Sequence, residues 1–275
     1  MKIRTDFVTN SSSSSFVVDL NLGFADGTTM TINSNEWRGD YSCSGCSLRA
    51  TDASGAEIIS KGCGVDEELP WEVSEAIELG AGPLNLNKIS GATTLKSLIS
   101  AITKPFGLSC HMETESDDDE DDEEYEEEYE DEEAAEIIEE IRKRFNSMVD
   151  DCGSLLAAHL TKKSDLQNAS VCMEFSGRGE FLADPDEILG HIFDWKEKDE
   201  VIGILSADDE TEIVEKLHAL KCLKNFTEDA LRALVVFWKN CDCTPETCNI
   251  TQTLTPDRKI DLKIDWEDIL TVCSS

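Results

Sequence analysis

Phe16-Val-Val-Asp-Leu-Asn-Leu-Gly-Phe24 decides the fold, because apolar and polar side chains alternate along it. The apolar side chains recur at every second position: Phe16, Val18, Leu20, Leu22 and Phe24. A period of two is typical of a β-strand with one buried face. Asp26-Gly27 follows, and this pair suits a turn that needs positive φ. Met30 and Ile32 then share one face of a returning strand, so the segment predicts a β-hairpin.

Alternating segments separated by turn residues recur further along the chain. They predict three more hairpins, at residues 48–60, 171–183 and 250–266. The expected turns lie at Asp52–Gly55, Ser176–Gly179 and Pro256-Asp257. Residues 16–62 therefore predict a small β-meander, and the last hairpin closes the chain.

Helical spacing appears between these hairpins. Thr94 is placed to cap a helix over residues 95–103, and Asp184-Pro185 and Thr227 are two further helix starts. Ser206 is expected to begin another. Apolar residues from Ala134 to Met148 recur at helical spacing, and the second part of the acidic segment is expected to join this helix. Gly153 is expected to break it.

Hairpins and helices occupy separate stretches, which is typical of an α+β fold. We divide the chain into four regions: a flexible, serine-rich leader at 1–15, a β-rich region with one helix at 16–110, an extended acidic segment at 111–133, and an α+β region at 134–275. Five Trp and ten Phe residues favour a packed core over disorder throughout.

The chain has a formal net charge of −35, from 59 Asp and Glu residues against 24 Lys and Arg residues. Seventeen of the acidic residues lie between Glu113 and Glu133, and the other 42 still outnumber the basic residues. A protein that tracks nucleic-acid phosphates needs a basic surface, and so does one that binds an anionic membrane. We therefore expect neither nucleic acid nor membrane as a partner.

The expected compartment is inferred from the patterns of membrane spans and signal peptides. No stretch approaches the ~18 to 20 apolar residues of a membrane span; the longest candidate is residues 230–238. The first ten residues lead into serines rather than into the apolar run of a signal peptide. We therefore expect a cytoplasmic protein whose eleven cysteines are reduced thiols.

Two groups of cysteines have spacings that suit a metal ion. Cys43-Ser-Gly-Cys46 is a C-x-x-C motif expected at a turn, and Cys63 follows between two glycines. Thiolates at this spacing bind Zn²⁺, so Cys43, Cys46 and Cys63 are candidate ligands of a structural zinc, although a regular zinc ribbon has a second C-x-x-C pair. The second group consists of Cys241, Cys243 and Cys248. Reduced structural thiols are the alternative for both groups, and no other cofactor is expected.

An unbroken run of eight carboxylates lies within the acidic segment. It consists of Asp117, Asp118, Asp119, Glu120, Asp121, Asp122, Glu123 and Glu124. Self-repulsion keeps such a run solvated and extended. The spacing of its oxygens is not that of an EF-hand, so tight Ca²⁺ binding is not expected. We interpret it as a docking site for a basic protein; a solubilising spacer is the alternative.

The leader Met1-Lys-Ile-Arg-Thr-Asp-Phe-Val-Thr-Asn10, followed by five serines and Phe16, resembles the start of many uncharacterised bacterial and phage proteins. Those proteins share a Phe-Val or similar pair and then Asn-Ser-Ser-Ser-Ser-Ser-Phe. The resemblance covers about 18 residues and names no activity. It implies a bacterial or phage origin and a cytoplasmic start.

The serine run itself invites a second hypothesis. Its hydroxyls are acceptors for phosphate or another group, and hydrophobic pairs flank them. The candidate modification sites are Ser11, Ser12, Ser13, Ser14 and Ser15. A disordered N-terminus that contacts nothing is the alternative.

Motifs of catalytic nucleophiles and phosphate loops are absent from the sequence. There is no G-x-S-x-G, G-x-x-x-x-G-K-[ST] or H-E-x-x-H. We therefore expect a non-catalytic protein that acts through protein–protein contacts, with the acidic segment meeting a basic partner. A zinc-stabilised module and an enzyme without a recognisable motif are the alternatives.

Overall fold

The computed structural model describes residues 13–38, 43–64, 77–79, 86–104, 108–110, 128–178, 184–241 and 245–268. Within these ranges the fold is α+β, as the sequence predicts. One antiparallel sheet carries seven strands, in the spatial order β4-β3-β2-β1-β7-β8-β9. Its strands are β1 (Ser13–Phe24), β2 (Thr29–Arg38), β3 (Cys43–Thr51), β4 (Glu57–Gly64), β7 (Leu166–Arg178), β8 (Pro245–Leu254) and β9 (Ile260–Asp268). A separate pair is formed by β5 (Ile77–Leu79) and β6 (Leu108–Cys110).

Strand β1 is the centre of the large sheet. Leu20 lies opposite Ile32 of β2 on one side and opposite Val171 of β7 on the other. The first four strands form the predicted N-terminal meander, and β7, β8 and β9 form a second meander. The β-rich region at 16–110 and the region at 134–275 are therefore two halves of one sheet, joined by the pairing of β1 with β7.

One face of this sheet forms the protein core. The buried side chains fall at alternate positions of every strand except β4: Val18, Leu20 and Leu22 in β1, Met30 and Ile32 in β2, Leu48 and Ala50 in β3, Val171 and Met173 in β7, Ile250 and Leu254 in β8, Leu262 and Ile264 in β9. Because successive strand residues point to opposite faces, all of these meet the helices on the same side.

Seven α-helices lie in the described ranges. They are α1 (Leu86–Ser90), α2 (Leu95–Thr103), α3 (Glu128–His159), α4 (Pro185–Gly190), α5 (Trp195–Leu205), α6 (Glu210–Ala219) and α7 (Glu228–Asn240). Helix α1 contacts β7, β8 and β9, and α7 packs on β9, where the ring of Phe237 meets the ring of Trp266 edge to face at 5.3 Å. Helices α4, α5 and α6 are linked in sequence by contacts, and α6 packs on α7.

Helix α3 is 32 residues long, about 48 Å at 1.5 Å per residue. It packs against β4, α2 and β6. Its buried side chains follow the helical period: Ile138, Ile141, Phe145, Met148, Cys152 and Leu156. Lys61 of β4 forms an ion pair with Asp151 on the same helix. This helix therefore covers the β4 side of the sheet.

Several local expectations are confirmed. The side chain of Thr94 accepts from the N–H of Ser97 at 3.1 Å and starts α2, and Thr227 accepts from Ala230 at 3.1 Å and starts α7. Pro185 occupies the first turn of α4. Glycine at position 27 has φ of +85°, the left-handed conformation that its turn requires.

Three expectations are wrong. Ser206 does not start a helix: it is the C-terminal cap of α5, and its N–H donates to the carbonyl of Ile202 at 3.0 Å. The hairpin expected at 171–183 is also wrong, because β7 continues through the expected turn at Ser176 to Arg178 and its two sides are paired with β1 and β8. Residues 179–183 lie outside the described residues.

Gly153 does not break α3. A glycine inside a helix costs about 1 kcal/mol relative to alanine. Burial of a leucine side chain such as Leu156 contributes about 1.5–3 kcal/mol. The packing on both sides of Gly153 therefore outweighs its low helix propensity.

No helix in the described part of the chain is long and apolar enough to cross a membrane.

Replacing Leu156 by alanine is expected to lower the free energy of unfolding by about 2–5 kcal/mol, because it opens a cavity beneath the sheet. Urea denaturation followed by circular dichroism measures the change. Asn146→Ala is the matched control, since Asn146 is an exposed residue of the same helix and should change stability by less than about 0.5 kcal/mol. An equal effect of the two substitutions would contradict the burial of this face of α3.

Candidate functional site

The predicted modification sites are divided by the start of β1. Ser11 and Ser12 lie outside the described residues, whereas Ser13, Ser14 and Ser15 are the first residues of the central strand. Ser14 and Ser15 pair through the backbone with both β2 and β7. The strand thus begins three residues earlier than the boundary expected at residue 15. A modifying enzyme that binds its target as an extended peptide would first have to open this pairing, so modification of the run stays a prediction.

The run at residues 117–124 lies outside the described residues, but the helix that follows it is described. Helix α3 begins at Glu128, within the acidic segment, and its first buried side chain among those described is Ile138. From Glu128 to Ile138 the helix advances ten residue positions, or about 15 Å along its axis. Carboxylates near a helix N-terminus stabilise it through the macrodipole. The acidic segment therefore grades into a helix anchored on the core, as the sequence predicts.

The first cysteine group does not lie at a turn. Cys43 and Cys46 are both in β3, and Cys46 is buried, with 4% of its surface exposed. Cys63 of β4 lies directly opposite Cys46 in the strand register. The side chains of Cys43 and Cys63 are outside the description. Among the described side chains, no group of three or more His, Cys, Asp or Glu residues is placed to hold a metal ion.

The second cysteine group is partly described. Cys241 ends α7 and Cys248 lies in β8, and each is at most 6% exposed; Cys243 lies outside the described residues. Burial, then the neighbouring Cys241, raises the pKa of Cys248 to about 12. A thiol with so high a pKa holds little thiolate at neutral pH and is a poor nucleophile.

A polar cluster that the sequence did not predict connects the C-terminus of α3 to the turn between β1 and β2. His159 is the last residue of α3, and its Nδ1 lies 2.6 Å from Oδ2 of Asp26 in the turn between β1 and β2. The imidazole donates, since a carboxylate only accepts. The hydroxyl of Thr28 lies 3.3 Å from the same nitrogen. The hydrogen bond from His159, then the N–H of Thr28, lowers the pKa of Asp26 to about 2.

This cluster does not have the arrangement of a catalytic triad. In a triad the carboxylate and the nucleophile bind opposite nitrogens of the imidazole. Here Asp26 and Thr28 meet the same nitrogen, and Thr28 is 4% exposed. The arrangement instead fastens the C-terminus of α3 to the first hairpin.

A crevice lined by described residues is also not built for catalysis. A small crevice between α3 and the sheet has apolar walls, apart from one hydroxyl and one thiol; its lining residues are Ile32, Leu48, Thr103, Met148, Val149 and Cys152. Burial raises the pKa of the Cys152 thiol to about 12. Such a crevice holds no pair of groups suited to general acid–base work at neutral pH.

The second face of the large sheet has a different character and is here named the open face. Its side chains are partly or fully exposed and nearly all polar: Asp19, Asn21, Thr29, Thr31, Asn33, Ser47, Arg49, Asn168, Ser170, Cys172, Glu174, Thr247, Asn249, Thr251, Thr253, Asp261, Lys263 and Asp265. Hydrogen bonds cross its central strands, from Thr31 to Asn21 at 2.9 Å and from Asn33 to Asp19 at 2.5 Å.

Sequence patterns at single strands show that each strand has a polar side, but they do not show which polar sides adjoin. The cross-strand register places Asp19 beside Cys172 of β7, which in turn lies beside Thr251 of β8. These residues are separated by up to 232 positions in the chain. Only the topology of the sheet brings them onto one surface.

No protein-family model matches this chain. No curated protein matches it either, and neither does any solved structure.

Replacing His159 by phenylalanine should return the pKa of Asp26 from about 2 toward its ordinary value of 3.8, because the largest cause of the shift is removed. Carboxyl NMR during an acid titration measures this. A depressed carboxyl pKa stabilises the fold above the unfolded-state value and loses that effect as pH falls through the folded-state value. The stability difference between the wild type and H159F should therefore shrink between pH 3.8 and about 2.

His218→Phe is the matched control for this prediction, since His218 lies on the exposed surface of α6. It should leave the pKa of Asp26 unchanged. An Asp26 pKa that stays near 2 in H159F would show that the imidazole is not its cause.

Proposed function

We propose that this protein is a non-catalytic, cytoplasmic binding module whose acidic segment, residues 113–133, docks a basic protein partner. The observation that carries the proposal is the continuity of this segment with α3. The helix starts at Glu128 inside the segment and runs without interruption onto the core. The helical end of this strongly charged segment is thereby joined to a rigid support.

The attachment of α3 fixes the position of the described end of the segment, residues 128–133. Phe145 and Leu156 are at most 1% exposed, and the ion pair between Lys61 and Asp151 connects the helix to β4. At the C-terminal end of the helix His159 binds Asp26. A partner that contacts residues 128–133 therefore meets a preformed helix, which lowers the conformational entropy lost on binding.

Basic residues further along α3 do not neutralise the segment. Arg142 pairs with Glu139 at 3.0 Å, and Arg144 pairs with Glu140. Each of these pairs forms within the helix. The segment carries seventeen acidic and no basic residues, and this excess supplies a negative field that steers a basic partner and speeds association at low salt.

Neutralising part of the segment should weaken binding of a basic partner. In the variant D119N/E120Q/D122N/E123Q, affinity is expected to fall roughly fivefold or more, because each exposed ion pair contributes about 0.2–1 kcal/mol. Pull-down with the full chain at about 0.1 M and about 1 M salt tests this, since the Debye length falls from about 10 Å to about 3 Å over that range.

The matched control is D199N/E200Q/D208N/E215Q, which removes the same number and type of charges from exposed positions on α5, α6 and the loop between them. It should retain the partner. An equal loss of partner binding in the two variants would mean that only the overall charge matters. Capture of a partner that depends on neither salt nor the two variants would contradict the proposal.

A structural zinc is the second candidate, favoured by the register of β3 and β4. Cys46 and Cys63 are directly opposite each other in the backbone register of the two strands, and Cys43 precedes Cys46 by three positions on β3. Positions three apart on a strand alternate to opposite faces. The register therefore brings together two of the three predicted ligand positions and not the third. Coordination of Zn²⁺ by these thiolates would make folding depend on the metal.

Elemental analysis of the purified full chain tests the zinc site. One zinc per chain, lost in C46S and C63S but kept in the control C172S, would support it. Less than about 0.2 zinc per chain would exclude zinc as a structural requirement.

A further inference from the structure

The open face is built from short side chains. Near its centre the row across β2, β1, β7 and β8 reads Asn33, Asp19, Cys172 and Thr251. Long side chains such as Lys and Glu lose up to about 2 kcal/mol of rotamer entropy when a partner fixes them, and short ones lose less. A face of this composition presents hydrogen-bonding groups at a low entropic cost of binding.

The charges on this face do not cancel among its described side chains. The two basic residues among these described side chains are each next to an acidic one: Arg49 lies 3.6 Å from Glu57, and Lys263 pairs with Asp265. Three further carboxylates form no ion pair with a described basic side chain, although one of them, Asp261, is two residues from Lys263 on β9. They are Asp19, Glu174 and Asp261.

These three carboxylates are spread across the face. Asp19 is opposite Cys172, two residues from Glu174 on β7, so Asp19 and Glu174 are diagonal neighbours about 7–8 Å apart. Asp261 is on β9, three strand spacings from β1, or about 14 Å away across the sheet. Asp19 accepts from the side-chain amide of Asn33, and Asp261 accepts from the hydroxyl of Thr227 and the backbone N–H of Leu262. These neutral donors leave the charge of each carboxylate in place.

We propose that the open face is a second docking surface, separate from the acidic segment, and that it takes an extended Lys- or Arg-bearing segment of a protein partner. The uncompensated carboxylates select a cationic chain, and the Ser, Thr and Asn side chains supply donors and acceptors to its backbone. A second copy of this protein fits less well, because two such faces would oppose carboxylate with carboxylate. The inference rests on the proposed function, since both need a basic partner.

Cys172 is a natural reporter of occupancy. It is partly exposed on the open face beside Asp19, whereas the other described cysteines are buried. Alkylation of Cys172 by N-ethylmaleimide, located by mass spectrometry of the digested full chain, therefore measures access to the centre of the face.

The probe is a synthetic peptide of alternating Lys and Thr residues, with a peptide of alternating Glu and Thr residues as its control. At ten times its Kd, the Lys peptide should slow alkylation of Cys172 roughly tenfold, because about a tenth of the sites are then free. D19N/E174Q should lower the affinity for the Lys peptide roughly fivefold. D199N/E200Q is the matched control and should leave affinity unchanged.

Three results would overturn the inference. Unchanged alkylation of Cys172 with the Lys peptide bound would place the peptide elsewhere, and so would equal affinity of D19N/E174Q and D199N/E200Q. Protection of Cys172 that grows with protein concentration in the absence of peptide would identify a second copy as the occupant.

The failure of this inference is distinguishable from failure of the proposed function. If D119N/E120Q/D122N/E123Q weakens peptide binding and D19N/E174Q does not, the acidic segment is the docking site and the open face is not. If neither variant changes binding, both proposals are wrong. Circular dichroism of each variant checks that the fold is retained. We expect it to be retained, because the substituted residues on the sheet and on α5 are exposed or half-exposed.

Discussion

The pairing of β1 with β7 is the constraint on which the rest of this structure depends. Strand β1 begins at Ser13 and β7 at Leu166, and their register is continuous from Ser13↔Arg178 to Gly23↔Asn168. Without this ladder the chain would hold two separate meanders, each with a single apolar face and one more edge strand. Joined, they form one seven-stranded sheet whose apolar side is wide enough for the helices to cover.

Placement of the helices on one side gives the sheet two chemically different faces. The core face excludes water, and its buried thiols are inert because burial raises their pKa, as for Cys152 and Cys248. The open face keeps its polar side chains accessible to partners. Helix α3 joins the core to the acidic segment, since its buried stripe packs on the core and its first residues belong to that segment.

Interactions between near neighbours were predictable from the sequence. Asp26-Gly27, Thr94, Pro185 and Thr227 act through atoms within a few residues, so their turns and helix starts are where the pattern puts them. Helix α5 was missed although Asp194 and Glu197 have capping-box spacing, and Glu197 does accept the N–H of Asp194 at 3.3 Å. The expected break at Gly153 failed because local propensity is weaker than the burial of Leu156 on the next turn.

The sequence by itself determined the α+β class, the alternating strands, the acidic segment and the starts of α2, α4 and α7, since these depend on period, composition and contacts a few residues long. The tertiary structure alone decided that Asp26 meets His159, that Cys46 faces Cys63 in register, and that the polar sides of six strands join as one surface. Those contacts depend on strand order, which is set by the closure of long loops and by burial shared between distant segments. Loop closure and shared burial are not visible in a local sequence pattern.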